Sequence, residues 1–281
     1  MWVYQTMDAV DGKQARRTKS SSALGQLFDH GCDAFGTTPL ALAIISALGI
    51  GATPKAVAIL ATVQIPFFMA QFEEHFAHTM RTQVGYFGVT EGQYLEMLLL
   101  FCTAAVGPRV WDTELMEDFT LRDAFVWSGC VFPVLLALAS AWTVLRYPSA
   151  PWWAFVKLVP LYASFACLLW VSLQHSGPLH HVFTVQPAVV LGVFGCYFAH
   201  LVNRVIIASV CKVPFPAFEA SIMLPIPFVL ACSALQPRYV PQLVAVHAAL
   251  VVGQFVHHAV CACLQISSHL RIHVFTLDKR E

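Results

Sequence analysis

Long segments of continuous apolar residues recur along the chain, separated by short joints that contain proline or glycine. A helix needs roughly 20 predominantly apolar residues to cross the hydrocarbon core of a bilayer. Eight such spans are predicted, near residues 26–50, 54–72, 92–108, 122–145, 151–173, 182–208, 216–235 and 240–265. They lack the alternation that is typical of membrane barrel strands. The sequence therefore predicts an all-α, polytopic transmembrane helix bundle in a single domain, 1–281, with an additional partial helix at the N-terminus.

Composition agrees with a membrane protein. The chain is 58% hydrophobic and only 11% charged, whereas soluble domains carry about 25% charged residues. Its formal net charge is zero, so no global field favours binding to nucleic acid. The nine cysteines show no zinc-ligand spacing, and we expect them to be buried as small hydrophobic side chains.

Lysine and arginine are unevenly distributed between the predicted loops, which indicates an orientation because cytosolic loops are enriched in these residues. On this rule we expect the polar N-terminal stretch and the C-terminus to face the cytosol. The predicted cytosolic face holds Lys13, Arg16, Arg17, Lys19, Arg81, Arg146, Lys212, Arg271, Lys279 and Arg280, and the opposite face holds Lys55, Arg109, Arg122 and Arg238.

The polar stretch 7–35 contains four aspartates at helical spacing. Asp8 and Asp11 are three residues apart, and Asp29 and Asp33 are four apart, so each pair shares one face of a helix. The short polar link 19–22 allows the two helices to lie side by side. The helix predicted over 1–12 rises only about 18 Å, too little to cross a bilayer, and we expect the N-terminus to be incomplete.

Four converging carboxylates would repel one another and take up protons unless a cation were present. Carboxylate oxygens are preferred ligands of Mg²⁺ and Mn²⁺. Four of them suffice for two ions, the arrangement that stabilises the attacking and leaving oxygens in phosphoryl transfer. The alternative is a solvated cytosolic charge cluster that only orients the protein.

Residues between the aspartates suit a phosphate ligand. Gly12 and Gly25 leave room for a ligand to approach the backbone, and the small side chain of Ala15 leaves space on the helix face. Arg16 can hold a phosphate through two parallel hydrogen bonds.

Asp8-x2-Asp11-Gly12-x2-Ala15-Arg16-x8-Gly25-x3-Asp29-x3-Asp33 resembles the signature of the CDP-alcohol phosphotransferases. The segment DGKQARRTKSSSALGQLFDHGCD resembles the eukaryotic choline- and ethanolamine-phosphotransferase branch. QFEEHFAHTM, GVTEGQ and QISSHLRIHVFTL resemble later segments of the same branch, so the resemblance covers nearly the whole chain. The resemblance ends at the N-terminus, where the first span and most of the second span of that branch are missing.

The resemblance implies transfer of phosphocholine or phosphoethanolamine from CDP-choline or CDP-ethanolamine to diacylglycerol, with release of CMP. It also implies two Mg²⁺ or Mn²⁺ ions, a homodimer, and an endoplasmic reticulum or Golgi membrane with the site facing the cytosol. By this resemblance Asp8, Asp11 and Asp29 are metal ligands, Asp33 is a ligand and the base for the acceptor hydroxyl, and Gly12, Ala15, Arg16 and Gly25 line the CDP site.

Other polar residues leave alternatives open. Glu91 is a candidate second base or head-group ligand, or else only a carboxylate favoured at a helix start. Four residues are predicted to lie in a loop, where they would either contact the substrate or be solvated: Glu73, Glu74, His75 and His78. Interhelical hydrogen bonds or contact with the acceptor lipid would explain the polar residues within predicted spans, which are His200, Asn203, Arg204, Glu219, His247, His257 and His258.

Three other functions remain open from the sequence. The first is a catalytically inactive relative or truncated form. The second is an intramembrane prenyltransferase, which would carry a second aspartate-rich motif; the only later acidic cluster, 112–123, is expected on the opposite face. The third is a transporter, which would show two similar halves and broken helices at mid-membrane.

Overall fold

The computed structural model describes residues 2–219 and 225–276, and within these residues the chain forms a bundle of ten α-helices. The helices are α1 Trp2–Thr18, α2 Ala23–Ala47, α3 Pro54–Ala77, α4 Val89–Val106, α5 Leu121–Arg146, α6 Val159–Leu173, α7 Pro178–Val185, α8 Pro187–Cys211, α9 Pro225–Ala234 and α10 Val240–Leu270. Two antiparallel hairpins occupy loops, β1 Gln83–Val84 with β2 Phe87–Gly88, and β3 Glu114–Met116 with β4 Phe119–Thr120. The predicted all-α class is confirmed.

Proline and polar caps determine where several helices begin. Pro54, Pro178 and Pro187 occupy the first turn of α3, α7 and α8, where a missing N–H costs nothing and the fixed φ favours the helix. Thr120 caps α5 by accepting a hydrogen bond from the backbone N–H of Asp123, whose carboxylate accepts one from the N–H of Thr120. These local signals explain why the helix starts follow the joints visible in the sequence.

Within the described residues five helical segments are long and apolar enough to cross a membrane, and the chain is an integral membrane protein. They are Pro54–Ala77, Leu121–Arg146, Trp152–Leu173, Pro187–Cys211 and Pro237–Leu270. The predicted spans 26–50 and 92–108 correspond to α2 and α4, which are not among these five segments; each of the two helices carries two acidic residues. The predicted span 216–235 is helical over Pro225–Ala234, and its residues 220–224 lie outside the described part of the chain.

Two of the predicted spans are not continuous α-helices. The predicted span 182–208 is interrupted at Gln186, where α7 ends and Pro187 begins α8. A 3₁₀ turn, Trp152–Leu158, precedes α6 within the predicted span 151–173. The helix predicted over 1–12 is present and continues to Thr18.

The centre of the bundle is formed by α2, α3 and α8. Along α8 nearly every residue of the central turns is buried, including Leu191, Phe198 and Leu201. The helix α8 packs along α2 through small residues, and a methyl group added at Gly195 would lie 2.7 Å from the Cβ atom of Thr38. This close approach fixes the position of α2, the helix that carries two of the four aspartates.

Gly195→Ala should therefore destabilise the bundle by about 1–3 kcal/mol, because overpacking at a helix contact forces backbone shifts. The matched control is Gly192→Ala on the same helix, where an added methyl group meets no atom within 4 Å. Thermal unfolding in detergent should show a lower midpoint for Gly195→Ala and an unchanged or higher one for Gly192→Ala. Equal midpoints for the two variants would contradict the assigned α2–α8 contact.

Candidate metal and nucleotide site

The four aspartates lie on two adjacent helices joined by a tight connection. The helix α1 ends at Thr18, and Lys19 adopts a left-handed conformation with φ of 56°. The side chain of Ser22 then caps α2 by accepting a hydrogen bond from the backbone N–H of Gly25 at 3.1 Å. The chain reverses within four residues, which brings the aspartates of α1 next to those of α2.

Three of the carboxylates converge. Asp8, Asp11 and Asp29 each place one ligand oxygen within 4.8 Å of the other two. Asp33 lies on the same cavity wall, and its carboxylate accepts a hydrogen bond from the hydroxyl of Tyr4. The sequence prediction that four carboxylates gather in one place is thus matched by a group of three with the fourth beside it.

These carboxylates line an open cavity of about 260 Å³ between α1 and α2. Its wall consists of Asp8, Asp11, Gly12, Lys13, Arg16, Asp29, His30, Asp33 and Met80. Ala15 and Gly25 are not on this wall; Gly25 instead supplies the N–H that Ser22 caps. The cavity therefore contains six of the eight signature positions.

The electrostatics of the cavity favour a cation among the carboxylates and an anion beside them. Burial raises the pKa of the Asp8 carboxyl above its ordinary value, and the charge of Asp11 adds to the increase. On the same wall, Lys13 and Arg16 make no ion pair with any residue in 2–219 or 225–276. Both cations thus remain available to a negatively charged ligand.

The donor set of the site fits a hard divalent cation. Mg²⁺ takes oxygen ligands in octahedral geometry at about 2.0–2.1 Å and usually keeps several waters. Three carboxylate oxygens within 4.8 Å of one another are close to the spacing needed around one such ion, and the opening of the cavity leaves room for water and for a phosphate. Asp8, Asp11 and Asp29 are therefore the residues best placed to hold a metal.

The residues from 73 to 78 do not form the solvated loop that the sequence suggested. The helix α3 continues to Ala77, so Glu73, Glu74 and His75 lie on its last turns, and only His78 is exposed at the end. Glu73 is almost fully buried and accepts a hydrogen bond from the hydroxyl of Thr79. The sequence placed the end of this helix too early because the predicted apolar span ends at Phe72, whereas the helix continues to Ala77.

One of these residues supports α2 directly. Glu74 accepts a hydrogen bond of 2.6 Å from the side-chain amide of Gln26, and it lies 3.9 Å from Nδ1 of His30. The side chain of Gln71 also contacts the His30 ring, at 3.2 Å. The end of α3 thus holds the turn of α2 on which Asp29 lies.

Glu91 lies outside the cavity wall. It is exposed at the start of α4, where its carboxylate accepts a hydrogen bond of 2.8 Å from the backbone N–H of Gly88. This contact is the helix-start role that the sequence left open as the alternative to catalysis.

Several polar residues of the predicted spans make contacts between helices or within one helix. His247 stacks on Phe228 with ring centroids 3.9 Å apart, and His200 meets His258 edge-on at 5.1 Å. Arg204 forms an ion pair with Glu219. The side chain of Asn203 lies against Gly31, while His257 contacts Cys261 on its own helix. The histidine contacts between helices are ring packing and not the expected interhelical hydrogen bonds: within the described residues, both ring nitrogens of His200 and Oδ1 of Asn203 have no hydrogen-bond partner.

Sequence reasoning missed three residues of the site: Tyr4, His30 and Met80. Tyr4 precedes Asp8 by four residues and so shares the helix face of the aspartates, a spacing that could have identified it. His30 is adjacent to Asp29, but the sequence carries no signal for the approach of Met80, which depends on how α3 ends.

Comparison with known proteins agrees with this site. The sequence model of the CDP-alcohol phosphatidyltransferase family matches residues 1–135, which include α1, α2 and all four aspartates. Over 99% of its length the chain is 29% identical to "Cholinephosphotransferase 1" of Danio rerio and covers 74% of that protein. Over its whole length it is 32% identical to "Choline/ethanolaminephosphotransferase 1" of Arabidopsis thaliana and covers 77% of that protein. The chain belongs to the CDP-alcohol phosphatidyltransferase family.

Proposed function

We propose that the protein transfers phosphocholine or phosphoethanolamine from CDP-choline or CDP-ethanolamine to the free hydroxyl of diacylglycerol, forming phosphatidylcholine or phosphatidylethanolamine and releasing CMP. The observation that carries this proposal is the convergence of Asp8, Asp11 and Asp29 in an open cavity whose wall also holds Lys13 and Arg16, two cations without an ion pair among the described residues. The names of the relatives from Danio rerio and Arabidopsis thaliana support the choice of head groups.

Asp8, Asp11 and Asp29 would hold the divalent metal, with Asp33 as a further ligand to a second ion. When bound, Mg²⁺ or Mn²⁺ neutralises the diphosphate and stabilises the departing CMP phosphate. Arg16 and Lys13 on the same wall would bind the diphosphate oxygens, and the missing side chain of Gly12 lets the nucleotide approach the helix backbone. Ala15 and Gly25 lie beside the cavity wall, where Gly25 would contribute by its place in the cap of α2.

Asp33 would accept the proton of the acceptor hydroxyl. It lies deeper along α2 than Asp29, toward the apolar part of the helix, which is the side from which a membrane lipid arrives. The hydroxyl of Tyr4 orients its carboxylate, and a carboxylate in hydrogen-bond reach of an alcohol can serve as a general base. Glu91 is less well placed for this role because it lies outside the cavity wall.

The proposal places the site at the cytosolic mouth of the bundle in an endoplasmic reticulum or Golgi membrane, in a homodimer. CDP-choline and CDP-ethanolamine are polar and would come from the aqueous side, whereas diacylglycerol would stay in the lipid. The excess of lysine and arginine on the predicted cytosolic face supports this orientation.

The prenyltransferase alternative has no support in the structure. Its second acidic motif would be 112–123, but Asp123 forms an ion pair with Lys55 and Asp112 forms one with Arg122. These pairs lie near the start of α3 and α5, at the end of the bundle away from the four aspartates. A catalytically inactive relative is instead an outcome of the experiment that follows.

Asp33→Asn should lower transferase activity by roughly 10²–10⁴-fold, because the amide cannot accept the hydroxyl proton. The assay uses membranes from cells that lack this activity, with diacylglycerol, Mg²⁺ and labelled CDP-choline or CDP-ethanolamine. Asp118→Asn, at an exposed loop aspartate, is the matched control and should keep full activity. Absence of lipid product from either donor in the unaltered, folded protein would favour the inactive relative.

Mn²⁺ binding should depend on the three converging carboxylates. Electron paramagnetic resonance of the purified protein should detect fewer bound Mn²⁺ ions, or much weaker binding, in Asp8→Asn and Asp29→Asn, because each loses one carboxylate ligand. Asp118→Asn should bind as the unaltered protein does. Titration in the presence of CDP-choline counts the ions, and unchanged binding in both site variants would refute the assignment.

A further inference from the structure

A second cavity lies between α3, α5 and α6, at the other end of the bundle from the aspartates. Its volume is about 710 Å³, within the roughly 300–1,000 Å³ typical of small-molecule sites. Ile50, which lines it, follows the C-terminus of α2. Asp33 lies near the beginning of that helix, and at 1.5 Å per residue the two cavities are on the order of 20 Å apart.

The wall of this cavity is almost entirely apolar. It includes Val57, Ala58 and Ala61 from α3, Trp127 from α5, and Phe165 and Leu169 from α6. Trp127 is 57% exposed and Leu169 41% exposed, so the cavity opens sideways on the surface that faces the lipid. Along these apolar residues water finds no polar partners, and a hydrocarbon chain is the occupant that matches this part of the wall.

Two charged residues lie on the wall, and both are cations, Lys55 and Arg122. Their partners Asp123 and Asp112 do not line the cavity. An ammonium has three donors and a guanidinium five, so each cation keeps donors beyond its ion pair. The ligand of this cavity therefore combines an apolar chain with a negatively charged group.

The N-terminus of α3 adds to the positive potential at the same place. Thr53 and Pro54 both line the cavity, and the side chain of Thr53 does not cap the helix but donates to the carbonyl of Ile50. Pro54 has no N–H, and the N–H of Ala56 donates to the carbonyl of Thr53. The contribution of this helix N-terminus is therefore the positive end of the helix dipole. Two cations and a helix N-terminus together match a phosphate better than a neutral ester.

We propose that this cavity binds a glycerophospholipid from the membrane, with its phosphate between Lys55 and Arg122 and one acyl chain along the wall formed by Val57, Ala58 and Ala61. The site is separate from the aspartate cavity and does not depend on the transferase reaction. A lipid with the same chains but no phosphate, such as diacylglycerol, lacks the group that the two cations recognise.

Trp127 allows binding to be measured directly. Phosphatidylcholine with brominated acyl chains quenches tryptophan on contact, and the difference between the unaltered protein and Trp127→Phe isolates the signal of this one side chain among the seven tryptophans. In detergent we expect saturable quenching of Trp127 by the brominated phospholipid at low mole fraction. Brominated diacylglycerol should require a roughly tenfold higher mole fraction, because it forgoes charge-assisted hydrogen bonds worth at least about 1.4 kcal/mol.

Filling the cavity tests the position of the acyl chain. Ala61→Phe should abolish the saturable quenching, because the new ring occupies the wall. Ala139→Phe, an identical change at a half-buried alanine of α5 outside the cavity, should leave it unchanged. Equal quenching in the two variants would overturn the proposal and would indicate general contact of Trp127 with surrounding lipid.

Replacing Lys55 together with its partner Asp123 tests the phosphate contact without leaving a buried charge. In Lys55→Met combined with Asp123→Asn both partners of the ion pair lose their charge, and quenching by the phospholipid should weaken toward the level of diacylglycerol, because only Arg122 remains to bind the phosphate. Asp123→Asn alone retains the capping group and frees Lys55, so it should bind the phospholipid at least as well as the unaltered protein does. If the double variant bound like the single one, the phosphate assignment would be wrong. None of these readouts needs transferase activity.

Discussion

The position of α2 is the constraint on which the site depends. This helix enters the membrane with Asp29 and Asp33 near its beginning, and carboxylates are costly in hydrocarbon unless they are paired, protonated or bound to a cation. The close contact of Gly195 with Thr38 leaves α8 no room to move closer to α2. The aspartates are thereby held at the edge of the bundle, beside α1, where water and a metal can reach them.

The helix α3 provides the second support. A solvated loop at 73–78 would leave the first turns of α2 free on one side, but the helix extends past the apolar segment and places Glu74 against Gln26 and His30. Glu73, buried one residue earlier, lies 3.8 Å from Arg81 and accepts a hydrogen bond from Thr79. The chain after α3 is thus tied back to the helix, which places Met80 on the wall of the cavity.

The sequence predicted those features that depend on local spacing. Asp8 with Asp11 and Asp29 with Asp33 each share a helix face, and the link 19–22 is too short to separate the two helices. The convergence of these aspartates could therefore be predicted from the sequence alone. Tyr4 lies four residues before Asp8 and so shares its helix face, but a tyrosine beside apolar residues is common and does not by itself indicate a site. The spans followed from hydropathy, except where polar residues lie on a helix, as at the end of α3.

Features that depend on contacts between distant segments could not be predicted. No spacing in the sequence places Met80 beside Asp29 or brings Lys55 to Asp123, because these contacts depend on how α3 packs against α2 and α5. The predicted span 182–208 likewise conceals the break at Gln186, since both sides of the break are apolar and only Pro187 marks the new helix.

The two ends of the bundle use charge differently, and this contrast follows from the ligands proposed for them. At the aspartate end Lys13 and Arg16 line the cavity and make no ion pair within the described part of the chain, which suits a nucleotide that binds as the diphosphate and leaves as CMP in every turnover. At the other end Lys55 and Arg122 are held by carboxylates, which lowers the net charge exposed to hydrocarbon and fixes both side chains in place. Cations that are fixed and partly neutralised suit the single phosphate of a membrane phospholipid.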